Sequence, residues 1–229
     1  RSVVARVTAM RAMRVCVFGA GAVGGNIAVM LARAGADVSV LVRGATLQAV
    51  RARGLELHTP DGVVRANVRA SDDPRELGEQ DAVLVTVKQT ALTASAPAIT
   101  ALLGRDTPAV FLQNGIPWWY FHGQGNADEG KRIPELDPGD VLWNTVGPQR
   151  AVGGVTSSPC TVVEPGVVKL AGKNGTMVFG EPDGSMSPRL MAIAELFKAA
   201  GLPAEAPPRI RDAIWQKLAL NLGSGPLAV

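Results

Sequence analysis

Residues 14–24 read Arg-Val-Cys-Val-Phe-Gly-Ala-Gly-Ala-Val-Gly. The first five are apolar and β-branched enough to form a buried strand, and the glycines that follow interrupt any regular element. Ile27, Met30, Leu31 and Ala34 then recur at helical spacing until Gly35, which predicts strand, tight turn, helix. A second apolar run, Asp37 to Val42, and a helical stretch from Thr46 to Arg53 make the unit βαβ, and a βαβ unit implies a parallel sheet with helices on its faces.

Outward from this unit the same alternation continues. Asp81 to Val87 is a continuous apolar run followed by a helical Ala91 to Leu103, and Pro108 to Leu112 repeats the strand pattern. Leu55 to His58 and Val63 to Val68 flank Pro60-Asp61-Gly62, a tight-turn composition, and read as a hairpin appended to the sheet. Periodicity disappears between Ile116 and Asp140, where Pro117-Trp118-Trp119-Tyr120-Phe121 precedes a Gly/Asp/Glu/Lys stretch, so 117–140 reads as a long surface insertion. Val152 to Gly180 carries short strands. Ser187-Pro188 is an N-cap and first-turn pair that starts a helix to Ala200, and a last helix runs from about Arg209 to Leu222. Residues 1–12, basic and without acids, read as an extension outside the fold.

Composition excludes several classes. The 229 residues are 47% hydrophobic and 19% charged, which is globular rather than disordered or fibrous. The net charge of +3 comes from dispersed arginines, with only 4% aromatics, so nucleic acid is not an expected partner. No apolar run reaches the ~18 residues of a membrane span and no signal-peptide pattern precedes the first strand, so a soluble, cytoplasmic protein is expected. Cys16, inside a β-like run, and Cys160, in a Ser/Pro loop, read as free thiols, and the isolated His58 and His122 give no metal-ligand spacing.

The motif Gly19-Ala20-Gly21-Ala22-Val23-Gly24, between a strand and a helix, matches the dinucleotide fingerprint of a Rossmann-type sheet. Gly19 permits the turn, Gly21 lets backbone approach a pyrophosphate, Gly24 brings helix and strand together, and free helix N–H groups face the anion. An NAD site wants an acid at the end of the second strand. Here that end is Val42-Arg43-Gly44, while Asp37 lies at the opposite end. Arg43, 19 residues after Gly24, is placed to clamp a 2′-phosphate, so NADP(H) is the expected cofactor, against a merely solvated strand-end arginine. Lys88 and Asn114 follow the third and fourth sheet strands, where doubly wound sheets bind ligands, though either can be a capping residue. On the last helix Ile214, Leu218, Trp215 and Leu222 span an apolar arc, with Asn221 about 20° and Lys217 about 60° off one edge. Lys217 and Asn221 thus share a face, and a half-shielded amine can donate a proton. A snorkelling surface lysine is the alternative.

Gly19 to Gly25, Arg43, Thr86-Val87-Lys88, Gln113-Asn114-Gly115, Gly153-Gly154-Val155 and Trp215-Gln216-Lys217-Leu218 followed by Asn221 occur in one order. Together they resemble the ketopantoate reductase (2-dehydropantoate 2-reductase) family over nearly the whole chain from Met13. The resemblance implies a Rossmann-type NADPH domain over 13–205, with the insertion 117–140, and over 206–229 the start of an α-helical substrate domain. It implies reduction of a 2-keto acid to the 2-hydroxy acid in the cleft between them, in pantothenate biosynthesis. Lys217 matches the family's catalytic lysine, protonating the substrate carbonyl oxygen as hydride arrives. Asn221 matches a substrate contact, Asn114 and Lys88 match positions on the nicotinamide side, and Arg43 matches the 2′-phosphate contact. The chain departs from the family pattern in two places. The later serine and glutamate contacts have no counterpart before Val229, so further residues are expected, and the stretch after Ile116 is expected to reshape the pocket mouth or pack on a partner subunit in a homodimer. Alternatives are a catalytically inactive NADPH-binding sensor and a same-fold dehydrogenase of a different hydroxy acid.

Overall fold

The computed structural model describes residues 12–224. Its strands are β1 Arg14–Phe18, β2 Asp37–Leu41, β3 Leu55–Thr59, β4 Gly62–Ala66, β5 Arg69–Ser71, β6 Ala82–Val85, β7 Ala109–Phe111, β8 Ala151–Val155, β9 Cys160–Glu164, β10 Val167–Leu170, β11 Met177–Gly180 and β12 Ala204–Glu205. Its α-helices are α1 Ala22–Arg33, α2 Gly44–Arg53, α3 Pro74–Leu77, α4 Gln89–Thr100, α5 Val141–Thr145, α6 Pro188–Ala199 and α7 Ile210–Ser224. Of the extension read at 1–12, all but Ala12 lies outside the described residues.

Eight strands form the main sheet in the order β12-β11-β8-β7-β6-β1-β2-β5. Every junction is parallel except β8 with β11. The fold is therefore α/β with a mainly parallel Rossmann-type sheet. The central strands are apolar throughout because both faces are covered. Side chains alternate across a strand, so Val15 and Val17 join one core with α1 and α6, while Cys16 and Phe18 join another with α4, α5 and α7. Burial pushes the Cys16 thiol up to about 12, which keeps it an inert core group. Helix ends follow local chemistry: Ser187 Oγ accepts from Leu190 N–H at 3.1 Å, and Gly201 stops α6 at φ +72°.

Three expectations are corrected. The 55–66 hairpin is not appended to the main sheet. It builds a separate four-stranded sheet, β4-β3-β10-β9, in which Val167 to Lys169 pair in parallel with Glu56 to His58. This sheet lies against α1 so closely that a Cβ on Gly25 would come within 2.7 Å of Val168 Cγ2. Cys160 sits in the strand β9, not in a loop. The stretch after Ile116 is largely irregular but not superficial, because Trp118 and Trp119 are each 1% exposed. Trp118 packs edge-on to Phe111, with ring centroids 5.4 Å apart. The aromatic run has no period because it fills a space between β7, β8 and α7, which a local pattern cannot register.

Candidate active site

The glycine turn is held from both neighbouring strands. Gly19 adopts φ +96°, a conformation that favours glycine, and its N–H donates to the Leu41 carbonyl at 3.0 Å. The Thr86 hydroxyl, just past β6, reaches the Gly19 carbonyl at 2.5 Å. A Cβ on Gly24 would strike the Gly19 carbonyl oxygen and that same hydroxyl, whereas a Cβ on Gly21 would meet nothing within 4 Å. The turn thus leaves open space at Gly21 and none at Gly24. Helix α1 begins at Ala22 with no side-chain cap and no acid in its first turn, so its leading N–H groups and its positive dipole end remain free for an anion.

Beside the turn lies a cavity of about 500 Å³. Gly19, Ala20 and Gly21 form part of it, with Val42, Arg43 and Thr46 from the end of β2 and the start of α2. Helix α4 contributes Ala91, Ala94, Ser95 and Ala98, whose spacing of three and four lays a stripe of small side chains along one wall. The β9–β10 segment closes the cavity with Val162 and Gly166 to Val168. The space, the glycine opening and the exposed Arg43 suit a phosphate-bearing dinucleotide. Asp37 lies at the far end of β2, in register with Arg14. A carboxylate does reach the cavity from elsewhere: Asp72 follows β5, the strand next to β2.

Of the residues selected from sequence, the cavity lining brings together Gly19, Ala20, Gly21 and Arg43. It does not include Ala22, Val23, Gly24, Lys88, Asn114, Lys217 or Asn221. Lys88 is exposed at the N-cap of α4. Asn114 is exposed in the turn after β7, where Gly115 takes φ +102°. Gln113 locks these two turns together, its Nε2 donating to the Val85 carbonyl at 2.8 Å and the Val87 carbonyl at 3.2 Å. Thr46, Asp72, Thr86 and Gln113 were not among the selected residues. Thr86 and Gln113 lie inside the quoted motifs, but Asp72 carries no local signal because the sheet order alone delivers it.

Helix α7 carries Lys217, half-buried, and Asn221, exposed. The apolar arc read on this helix divides: Ile214 is buried and Leu218 packs against the core, but Trp215 and Leu222 are 55% and 73% exposed. What seats the helix is the line Ile210, Ile214, Leu218. Ile210 settles directly onto β8 and β11, where a Cβ on Gly153 or Gly180 would come within 2.7 or 2.6 Å of it. Gly153 is therefore a seat for both α7 and Trp119, and the missing side chain is what allows the helix to approach, whereas a Cβ on Gly154 would meet Leu112 instead.

The sheet order and the glycine turn define a Rossmann-type domain of the doubly wound α/β class. Within that class the chain belongs to the ketopantoate reductase PanE/ApbA family, whose model matches residues 15–184. It is 43% identical over 218 residues to a 2-dehydropantoate 2-reductase of Mesorhizobium japonicum, covering 94% of this chain and 66% of that protein. A crystal structure from Ralstonia solanacearum assigned to the ketopantoate reductases superposes with a TM-score of 0.90 at 40% identity, covering 95% of this chain and 67% of that one. D-mandelate dehydrogenase bound to NADH shares the fold alone, with a TM-score of 0.73 at 22% identity, over 91% of this chain and 61% of its own. The chain spans slightly less than two thirds of the length of the curated relatives it matches. Among the described residues no helix is long and apolar enough to cross a membrane.

Proposed function

We propose that this chain is the cofactor-binding part of a cytoplasmic NADPH-dependent 2-keto acid reductase, with ketopantoate as the substrate to test first. The observation that carries the reading is the cavity shared by the open Gly21 turn and Arg43, in a chain of this family. Gly21 allows backbone to approach the diphosphate, and the N–H groups at the start of α1 receive its charge. Arg43 contributes a planar, always-charged fork for a 2′-phosphate. When bound, the dihydronicotinamide supplies the hydride that reduces the keto carbon. Lys217 holds at Nζ the proton that goes to the keto oxygen, completing the hydroxyl, and its positive charge offsets the negative charge developing there. Asn221, one helical turn further, hydrogen-bonds the substrate, and Lys88 and Asn114 border the nicotinamide side.

Replacing Lys217 by Ala is expected to lower ketopantoate turnover by about 10²–10⁴-fold while leaving NADPH binding unchanged. Turnover near that of the unaltered chain would remove Lys217 from this role. Asp72 supports a second reading of the cofactor alone, because a carboxylate lining the cavity can accept from the ribose hydroxyls of NADH. Titration with both nucleotides separates the two readings.

A further inference from the structure

One guanidinium on the helix that carries Lys217 makes four hydrogen bonds to backbone outside it. Arg211 Nε and Nη2 donate to the Tyr120 carbonyl at 2.9 and 2.7 Å. Nη2 also donates to the His122 carbonyl at 2.6 Å, and Nη1 to the Pro182 carbonyl at 2.5 Å. One turn later Trp215 Nε1 donates to the Tyr120 hydroxyl at 2.9 Å. The guanidinium carbon also lies 5.4 Å from the centre of the Tyr120 ring, within cation–π range. Its own burial pulls the Arg211 pKa below the ordinary arginine range, opposed by Tyr120 and Glu129.

These bonds do something that the apolar seat cannot. Packing of Ile210 and Ile214 on β8 and β11 sets how deep α7 sits, but apolar contact is non-directional and tolerates small rotations and slides of the helix. Hydrogen bonds to three carbonyls from two separate segments are directional, and they fix roll and register together. Lys217 lies six residues on, about 9 Å along the axis, so any roll at Arg211 is delivered to its side chain. We propose that Arg211 is a positioning residue that sets the direction in which Lys217 points, with the backbone of 120–122 serving as its receptor. This rests on the reading of Lys217 as proton donor.

The test places Arg211→Met and Arg211→Lys in the full chain, alone and with Lys217→Ala, and follows ketopantoate kinetics, NADPH titration and amide hydrogen exchange. Arg211→Met should lower kcat by about 10–100-fold, as a small misplacement of a reacting group does, with NADPH affinity within about twofold. Arg211→Lys should recover part of the loss, since one ammonium replaces part of the fork. With Lys217 already replaced, Arg211→Met should cost nothing further. Exchange over 214–222 should rise while α1 stays protected. Unchanged kcat in Arg211→Met, or an equal loss in the Lys217→Ala background, would overturn the proposal. Near-normal turnover of Lys217→Ala alone would instead overturn the proton-donor reading, and exchange would then judge the fastening: unchanged protection over 214–222 sinks it. If Arg211→Met fails to fold, the same comparisons on Arg211→Lys decide.

Discussion

Gly21 and Gly24 sit three residues apart in one turn and are required for opposite reasons. At Gly24 there is no room: a methyl would push into the Gly19 carbonyl and Thr86, so Gly24→Ala should cost about 1–3 kcal/mol of stability by overpacking. For a chain of this size, thermal unfolding should register that as a drop of roughly 2–4 °C per kcal/mol. At Gly21 there is room, so Gly21→Ala should unfold at the unaltered temperature yet bind NADPH more weakly if its methyl enters the path proposed for the diphosphate. Unaltered NADPH affinity in Gly21→Ala would show that the opening at Gly21 is not the cofactor's. The turn was legible in sequence because its strand, glycines and helix are contiguous. Thr86, which closes the space at Gly24, was not assigned a role because it arrives from β6, more than sixty residues later.

The segment between β7 and α5 was the least legible element. Its sequence shows turn formers and charges, the signature of a surface loop. In three dimensions Leu112, Trp118 and Trp119 belong to the core, and residues 123–129 close a self-bonded turn. Glu129 accepts backbone N–H bonds from Gly123 at 2.8 Å, Gln124 at 2.6 Å and Gly125 at 2.9 Å. The Gly125 and Gly123 bonds foremost hold its carboxyl below the ordinary glutamate range, with His122 adding charge attraction. A lowered pKa means that the contribution to loop order is complete above the unfolded carboxylate range and lost as pH falls through the folded value, which lies beneath it. An acid titration should therefore move the Gly123, Gln124 and Gly125 amide resonances together, and Glu129→Gln should abolish that transition. Tyr120 and His122, just before this turn, supply two of the three carbonyls that receive Arg211, so acid that loosens the turn should also weaken the α7 anchorage.

At the scale of the molecule, the sheet divides the chain into a flank of α1, α6 and the small sheet and a flank of α4, α5, α7 and the tryptophans. The cavity beside Gly21 and Arg43 takes its lining from both flanks. A ligand held there ties them together, so saturating NADPH at about 100 times its Kd should stabilise the chain by about 2.7 kcal/mol. Arg43→Ala should remove most of that rise in unfolding temperature for NADPH and leave the response to NADH unchanged. An unchanged NADPH response would exclude a 2′-phosphate contact by Arg43. The parallel character of the main sheet was readable from β1, β2, β6 and β7, because these strands alternate with helices along the sequence, but its order and its outer members β5 and β12 were not. The small sheet was not: an alternating hairpin announces that it will pair, and nothing local names the remote strand that it pairs with.

That remote pairing governs when the binding site can exist during folding. Strand β3 meets β10 across about 110 residues, and Val162 and Gly166 to Val168, the cavity's closing wall, belong to the late β9–β10 hairpin. A chain still being synthesised, extended only as far as β8, would already own the glycine turn and Arg43 but would lack that wall. Closure of a long loop, an entropic event, separates the two conditions. Nucleotide present during refolding would then find little to hold until this last large loop shuts, and would act chiefly by slowing its reopening.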